Sequence, residues 1–281
     1  MSVPGLSPIR GIGAEAARAA VRLARLPLDI AVEGLGQLAG WLTRSTPALS
    51  PVAGEPAAAG AGIPVLLVHG LADRDWVVSA LRRGLDGCGA SPFVPVSYNA
   101  LSPDIRSAAR TLGDQVELAH ARGGGRPVVL IGYSLGGLIA RYYVQRLGGD
   151  AYVPLVITLA TPHSGTVTAL LAPPHPLLRQ LRPGSDVLTE LAEPAARCRA
   201  RFVAFYSDLD EAVIPAARGR IDHPDLKARN VLVPGVGHLT LPLHQPVIDL
   251  MRSLLTKAGQ APSAVCPRAR DSGAEPEEAE T

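Results

Sequence analysis

V-V-L-I-G-Y-S-L-G-G, residues 128–137, joins an apolar run to a segment with helical character. Pro127–Ile131 is predicted as a strand buried on both faces, and Leu135–Leu147 as the helix that follows it. Between them, Ser134 falls on a tight strand-to-helix turn. Gly132 and Gly136, two before and two after it, are small because strand and helix approach closely there. Such a turn lifts a hydroxyl above the end of the sheet and places it at a helix N-terminus. An isolated G-x-S-x-G string arises often by chance, so its neighbours must carry the reading.

Those neighbours alternate. I-P-V-L-L-V (63–68) is another continuous apolar run, and residues 92–97 form a weaker candidate strand. Ser102 and Pro103 are placed to cap and start a helix that ends at Gly123–Gly125. Residues 153–159, 202–206 and 231–233 are further candidate strands, and 244–255 a last helix. Strands alternating with helices imply an α/β fold with a mostly parallel sheet and helices on both faces. Functional groups then collect at the carboxyl ends of the strands.

A serine hydroxyl needs a base. Of seven histidines, His238 follows the last predicted strand in V-P-G-V-G-H (233–238), where a glycine turn can aim an imidazole. His120 reads as a helix-surface residue, His175 and His223 lie beside prolines, and His244 opens the last helix. The imidazole needs an acid, expected in chain order between serine and histidine. S-D-L-D-E-A-V-I-P (207–215) follows a strand there, and both Asp208 and Asp210 are candidates. The oxyanion needs two N–H donors. The main-chain groups of Leu135, after the serine, and Leu71, in H-G-L (69–71) after the first strand, meet that need. His69 is expected to shape this loop.

Residues 63–255 resemble the α/β-hydrolase fold, and within it bacterial triacylglycerol lipases and related esterases. The resemblance is carried by V-H-G-L (68–71), G-Y-S-L-G-G (132–137), L-A-T-P-H-S-G-T (159–166), D-E-A-V-I-P (210–215) and G-V-G-H (235–238). It implies a catalytic set of Ser134, Asp210 and His238, an acyl-enzyme, and an acyl or lipid ester substrate. Its D-x-x-V-x-P pattern favours Asp210 over Asp208. It implies no organic cofactor and no metal. Acyl transfer and thioester hydrolysis on the same scaffold stand as alternatives. A non-catalytic binding protein is the reading from another class, and would ordinarily have lost one of the three residues. His163, in the T-P-H-S-G-T stretch, is expected to bond within its own loop.

Composition bounds the rest. Apolar residues make up 47% and charged residues 19%, enough for a buried core and too little charge for a disordered chain. The net charge of +2 contains no basic run, so nucleic acid is not an expected partner. Three cysteines lack metal-ligand spacing and suggest unpaired thiols. The expected division is a leader, amphipathic helix and Pro/Ala/Gly linker over 1–62, a hydrolase domain over 63–256, and a disordered acidic tail over 257–281. The stretch 167–200, rich in leucine and proline, is expected to form a small cap over the site. Over 14–44, Arg18, Arg22, Arg25, Asp29 and Glu33 make one polar stripe on an otherwise apolar helix. Two placements fit it: docking on the body or in a dimer interface, or peripheral contact with a membrane. The absence of a signal-peptide pattern or an 18-residue apolar run points to the cytoplasm, with or without such contact.

Overall fold

The computed structural model describes residues 62–71, 75–96, 98, 104–171 and 175–260. The amphipathic helix expected over 14–44 lies outside them, as do Ser102 and Pro103. The elements run β1 (Ile63–Val68), α1 (Asp75–Leu85), β2 (Ala90–Pro95), α2 (Ile105–Arg122), β3 (Val129–Tyr133), α3 (Leu135–Arg146), β4 (Leu155–Leu159), α4 (Thr168–Leu171), α5 (Pro176–Gln180), α6 (Asp186–Ala192), β5 (Arg201–Tyr206), β6 (Lys227–Leu232) and α7 (Gln245–Gln260). The strands lie in the order β2-β1-β3-β4-β5-β6, and every neighbouring pair is parallel.

Period-two alternation divides the core between the two faces. Leu66, Val68, Leu130, Val156 and Phe202 point to one side and pack with Ala108, Leu112 and Val116 of α2 and Leu138 and Ile139 of α3. Val65, Leu67, Ile131, Ile157 and Phe205 point to the other and pack with Val77 and Leu81 of α1 and Ile248 and Met251 of α7. The expected α/β architecture is therefore present. Helix α1 is an element the sequence does not announce, although Val77, Val78, Leu81 and Leu85 are all buried at helical spacing.

Several boundaries differ from expectation. Helix α2 begins at Ile105, and its N-cap is Asp104, whose side chain accepts from the Arg106 N–H. Ser102 and Pro103 are thus not where this helix starts. Helix α7 continues to Gln260, so residues 257–260, expected in the tail, are helical. Strand β6 starts at Lys227, four residues before the expected apolar stretch, because an edge strand needs no continuous apolar run. Cys88 and Cys198 are buried, and Cys266 lies outside the described residues.

The 167–200 insert is anchored to the body. Leu177, Leu178, Leu181, Leu188 and Leu191 join the α2/α3 face of the core, whereas Leu170 and Leu171 remain exposed. Gln180 Oε1 accepts the Ile105 N–H at 2.9 Å, at the start of α2. Glu190 of α6 takes a bidentate hydrogen bond from Arg106 and one from the Tyr142 hydroxyl. The Arg106 hydrogen bond holds the Glu190 carboxyl below the usual range. These leucines were expected to line a cap, but most of them are committed to the core.

Candidate active site

The sheet order reverses between β1 and β3. β2 lies on one side of β1, and β3, reached later in the chain, lies on the other. Loops leaving β1 and β3 therefore diverge, and a crevice opens at their carboxyl ends. Val68 is in register with Gly132, so the H-G-L loop and the serine turn leave the sheet side by side.

Ser134 occupies that turn with φ 53° and ψ −123°. This conformation costs an L-residue on the order of 1–3 kcal/mol and persists only where the surroundings hold it. Here its N–H donates to the Leu159 carbonyl at 2.8 Å. A Cβ on Gly132 would come within 2.4 Å of Gly137 Cα, and one on Gly136 within 2.1 Å of the Val68 carbonyl oxygen. Both glycines are required by close approach, as the motif predicts.

The imidazole of His238 reaches this serine from the loop after β6. Its Nε2 lies 3.1 Å from Ser134 Oγ. Its Nδ1 lies 2.9 and 3.0 Å from the two carboxylate oxygens of Asp210. Because a carboxylate only accepts, Nδ1 carries the proton and Nε2 is left to accept from the serine hydroxyl. Asp210 is buried and also accepts the N–H groups of Ala212 and Val213 at 2.9 and 2.8 Å. Asp208 is instead exposed and accepts the Gly235 N–H at 2.8 Å. Of the two candidate acids, only Asp210 meets the imidazole in this geometry.

The expected oxyanion donors are the main-chain N–H groups of Leu135 and Leu71. Leu135 is the first residue of α3, where helix geometry leaves the N–H without an intrahelical partner. Leu71 follows Gly70, where an added Cβ would lie 3.2 Å from Ser134 Cβ. His69 is buried and stacks on Tyr98 with centroids 4.4 Å apart, and its Nδ1 donates to the Gly70 carbonyl at 2.8 Å. The Tyr98 hydroxyl donates to the carbonyls of His69 and Gly70 at 2.9 and 3.1 Å. His69 thus shapes the loop, as expected. Tyr98 was not foreseen, since nothing in its local sequence marks it.

His163 is buried, with Nε2 2.9 Å from Thr158 Oγ1. Burial, and then the nearby Arg141 charge, drive its pKa well below the ordinary histidine value. Its main-chain N–H donates to the Thr161 carbonyl within its own loop, as expected, while its ring bonds to Thr158 of β4. His120, His175 and His223 each bond to the main chain: the Arg126 carbonyl, the Leu177 N–H and the Glu193 carbonyl. Tyr133 was also missed. It lies beside His238, with ring centroids 5.2 Å apart, and its hydroxyl donates to the His238 carbonyl at 3.4 Å. Its position directly before the serine was the available signal. Among the described residues, no three His, Cys, Asp or Glu side chains are grouped so as to hold a metal ion.

A family model described as palmitoyl protein thioesterase matches residues 64–217, more than half of the chain. The chain belongs to the palmitoyl protein thioesterase family. The match takes in Ser134 and Asp210, and His238 lies beyond it. This family member is 38% identical over 126 residues to a GPI inositol-deacylase of Candida albicans, covering 37% of this chain and 32% of that protein. It is 36% identical over 107 residues to a triacylglycerol lipase of Pseudomonas fragi, covering 36% and 34%. It thus spans about a third of the length of these curated relatives. A solved structure of Bacillus licheniformis lipase BlEst2 in mature form superposes with a TM-score of 0.59 at 17% identity, covering 75% of this chain and 96% of that one. Aspergillus fumigatus lipase B superposes with a TM-score of 0.55 at 18% identity, covering 66% and 47%. These likenesses show the α/β-hydrolase fold. No helix among the described residues is long and apolar enough to cross a membrane.

Proposed function

We propose that the protein hydrolyses carboxylic esters of lipid acyl chains through an acyl-enzyme on Ser134. One observation carries the reading: Ser134 Oγ, His238 and Asp210 form a continuous hydrogen-bonded line at 3.1 and 2.9 Å. Ser134 Oγ attacks the acyl carbonyl as His238 Nε2 takes its proton. The resulting oxyanion accepts from the N–H groups of Leu71 and Leu135. Collapse expels the alcohol, protonated by His238, and leaves the acyl group on Ser134. Water then attacks that ester, giving its proton to His238, and the second collapse releases the acid and restores the serine hydroxyl. Asp210 holds the imidazole tautomer and stabilises its charged form.

The family description favours a second reading, in which the bond cleaved is a thioester and a thiol leaves. The same residues would serve, because the acyl half of the reaction is unchanged. Acyl transfer would differ only in the acceptor that captures the acyl-enzyme.

Labelling by a fluorophosphonate, followed by assays on p-nitrophenyl butyrate and on a palmitoyl thioester, tests all three. The wild type should label at Ser134, and Ser134→Ala should not. Ser134→Ala should lose several orders of magnitude in turnover, against about 10⁶ for such a change in another serine hydrolase. Near-full activity in that variant would overturn the proposal. The ratio of the two activities ranks ester against thioester. Partition of product toward an added alcohol would reveal transfer.

A further inference from the structure

Acid and base in this site come from two loops, 207–211 after β5 and 233–238 after β6, and the two are bound together closely. Ser207 Oγ accepts the Val236 N–H at 3.3 Å, and Asp208 accepts the Gly235 N–H at 2.8 Å. Asp210 takes the His238 ring N–H. The remaining carboxylate, Glu211, accepts the main-chain N–H of His238 itself, with Oε2 at 2.9 Å. The base is thus held at two points by consecutive residues, at its ring by Asp210 and at its backbone by Glu211.

The space around Glu211 is shaped for this contact. A Cβ on Gly237 would lie 3.1 Å from Glu211 Oε2, so a larger residue there would press on the carboxylate. Thr240 Oγ1 closes the turn by donating to the Gly237 carbonyl at 3.2 Å. Among the described residues, the groups facing His238 include Asp210 and Glu211 from the loop after β5, Ser134 from the serine turn, and the Tyr133 ring and hydroxyl from β3. Asp208 joins them indirectly through Gly235.

We propose that Glu211 is a positioning residue for the base: its carboxylate anchors the His238 backbone and adds a second negative charge beside the imidazolium formed in each chemical step. This rests on the serine-hydrolase reading above. A neutral acceptor would hold the backbone equally well, so the charge and the anchor are separable. Glu211→Gln keeps an oxygen that can accept the N–H but removes the charge. Glu211→Ala removes both.

The test uses the full-length chain with p-nitrophenyl butyrate and a fluorophosphonate. Glu211→Ala should lower kcat and the labelling rate by about 10²-fold, the scale of a small displacement of a reacting group, with KM within about twofold. Glu211→Gln should recover most of that kcat on the pH plateau. Its acid limb of kcat/KM should nevertheless move down by about half a pH unit, as expected for losing one nearby charge in partly exposed surroundings. A Glu211→Ala variant with kcat within twofold of wild type overturns the proposal. So does an unmoved acid limb in Glu211→Gln. If Glu211→Ala does not fold, the Glu211→Gln profile alone decides. A wild type that neither labels nor hydrolyses would overturn the underlying serine-hydrolase reading, whereas a reactive wild type with an unaffected Glu211→Ala would refute the role of Glu211 alone.

Discussion

Two aspartates two positions apart have different positions here. Asp210 is buried against the imidazole and two main-chain N–H groups, while Asp208 is exposed and braces Gly235. Asp210→Asn replaces an obligate acceptor with an amide that can stabilise the wrong tautomer, a change that cost about 10⁴ in turnover in a serine protease. Asp208→Asn keeps an oxygen for the Gly235 N–H and should cost less than about tenfold. Steady-state kinetics on the two variants check the ranking, and the reverse order would move the acid to Asp208. His163 invites a second prediction. Its folded-state pKa is depressed, so below pH 6.5 the unfolded chain binds a proton that the folded chain does not. Its contribution to stability is therefore lost as pH falls from 6.5, by up to about 1.4 kcal/mol per pH unit. Urea unfolding at pH 7.0, 6.0 and 5.5 should show the wild type losing more stability than His163→Gln, in which this term is absent. Parallel slopes would refute it.

Arg141 links α3 to its surroundings. Its guanidinium donates to the Gln145 side chain at 2.9 Å and to the His163 and Leu191 carbonyls at 3.1 Å each. It is buried, and desolvation lowers its pKa to about 10. One planar fork thus serves three neutral acceptors on a helix, a loop and the insert, and the Leu191 carbonyl also accepts from Gln145 Nε2 at 2.9 Å. Arg141→Ala should destabilise the fold by about 3 kcal/mol, because buried acceptors lose their donor. Arg141→Lys should restore less than half of that, since one ammonium cannot reproduce the fork geometry. Chemical denaturation measures both, and full rescue by lysine would contradict the account. The bonds of Gln180 to α2 and of Glu190 to α2 and α3, together with the buried leucines, hold the insert to the body alongside Arg141.

At the scale of the whole molecule, the described residues pack a hydrophobic core against each face of the six-stranded sheet. Gly62 is the first of them, and its carbonyl accepts from Arg126 at 3.0 Å. A chain beginning at Gly62 should therefore fold and hydrolyse short soluble esters at the rate of the full chain. Far-UV circular dichroism and the p-nitrophenyl butyrate assay check this. An insoluble truncation would indicate that residues 14–44 dock on the body. Vesicle sedimentation tests membrane contact: anionic liposomes should retain the full chain and release the truncated one, and equal binding would exclude that role for the segment.

The local order of strand, turn and helix around Ser134 was legible in the sequence, because Gly132 and Gly136 record a backbone approach that only residues without a Cβ permit. The buried strands were legible for a similar reason: continuous apolar runs such as 63–68 answer to burial on both faces. Helix α1 went unread because its short apolar stripe competes with no strong start or stop signal. Which aspartate meets His238 depended on the resemblance and not on spacing, since Asp208 and Asp210 both follow β5. Only the packing of the loops after β5 and β6 separates them, burying one carboxylate beside the ring and leaving the other at the surface. The long-range contacts of Tyr98, Tyr133, Arg141 and Glu211 were invisible for the same reason. Each acts across 22 to 105 positions of chain, apart from the Arg141–Gln145 pair, and contacts between residues so distant leave no local periodicity to read.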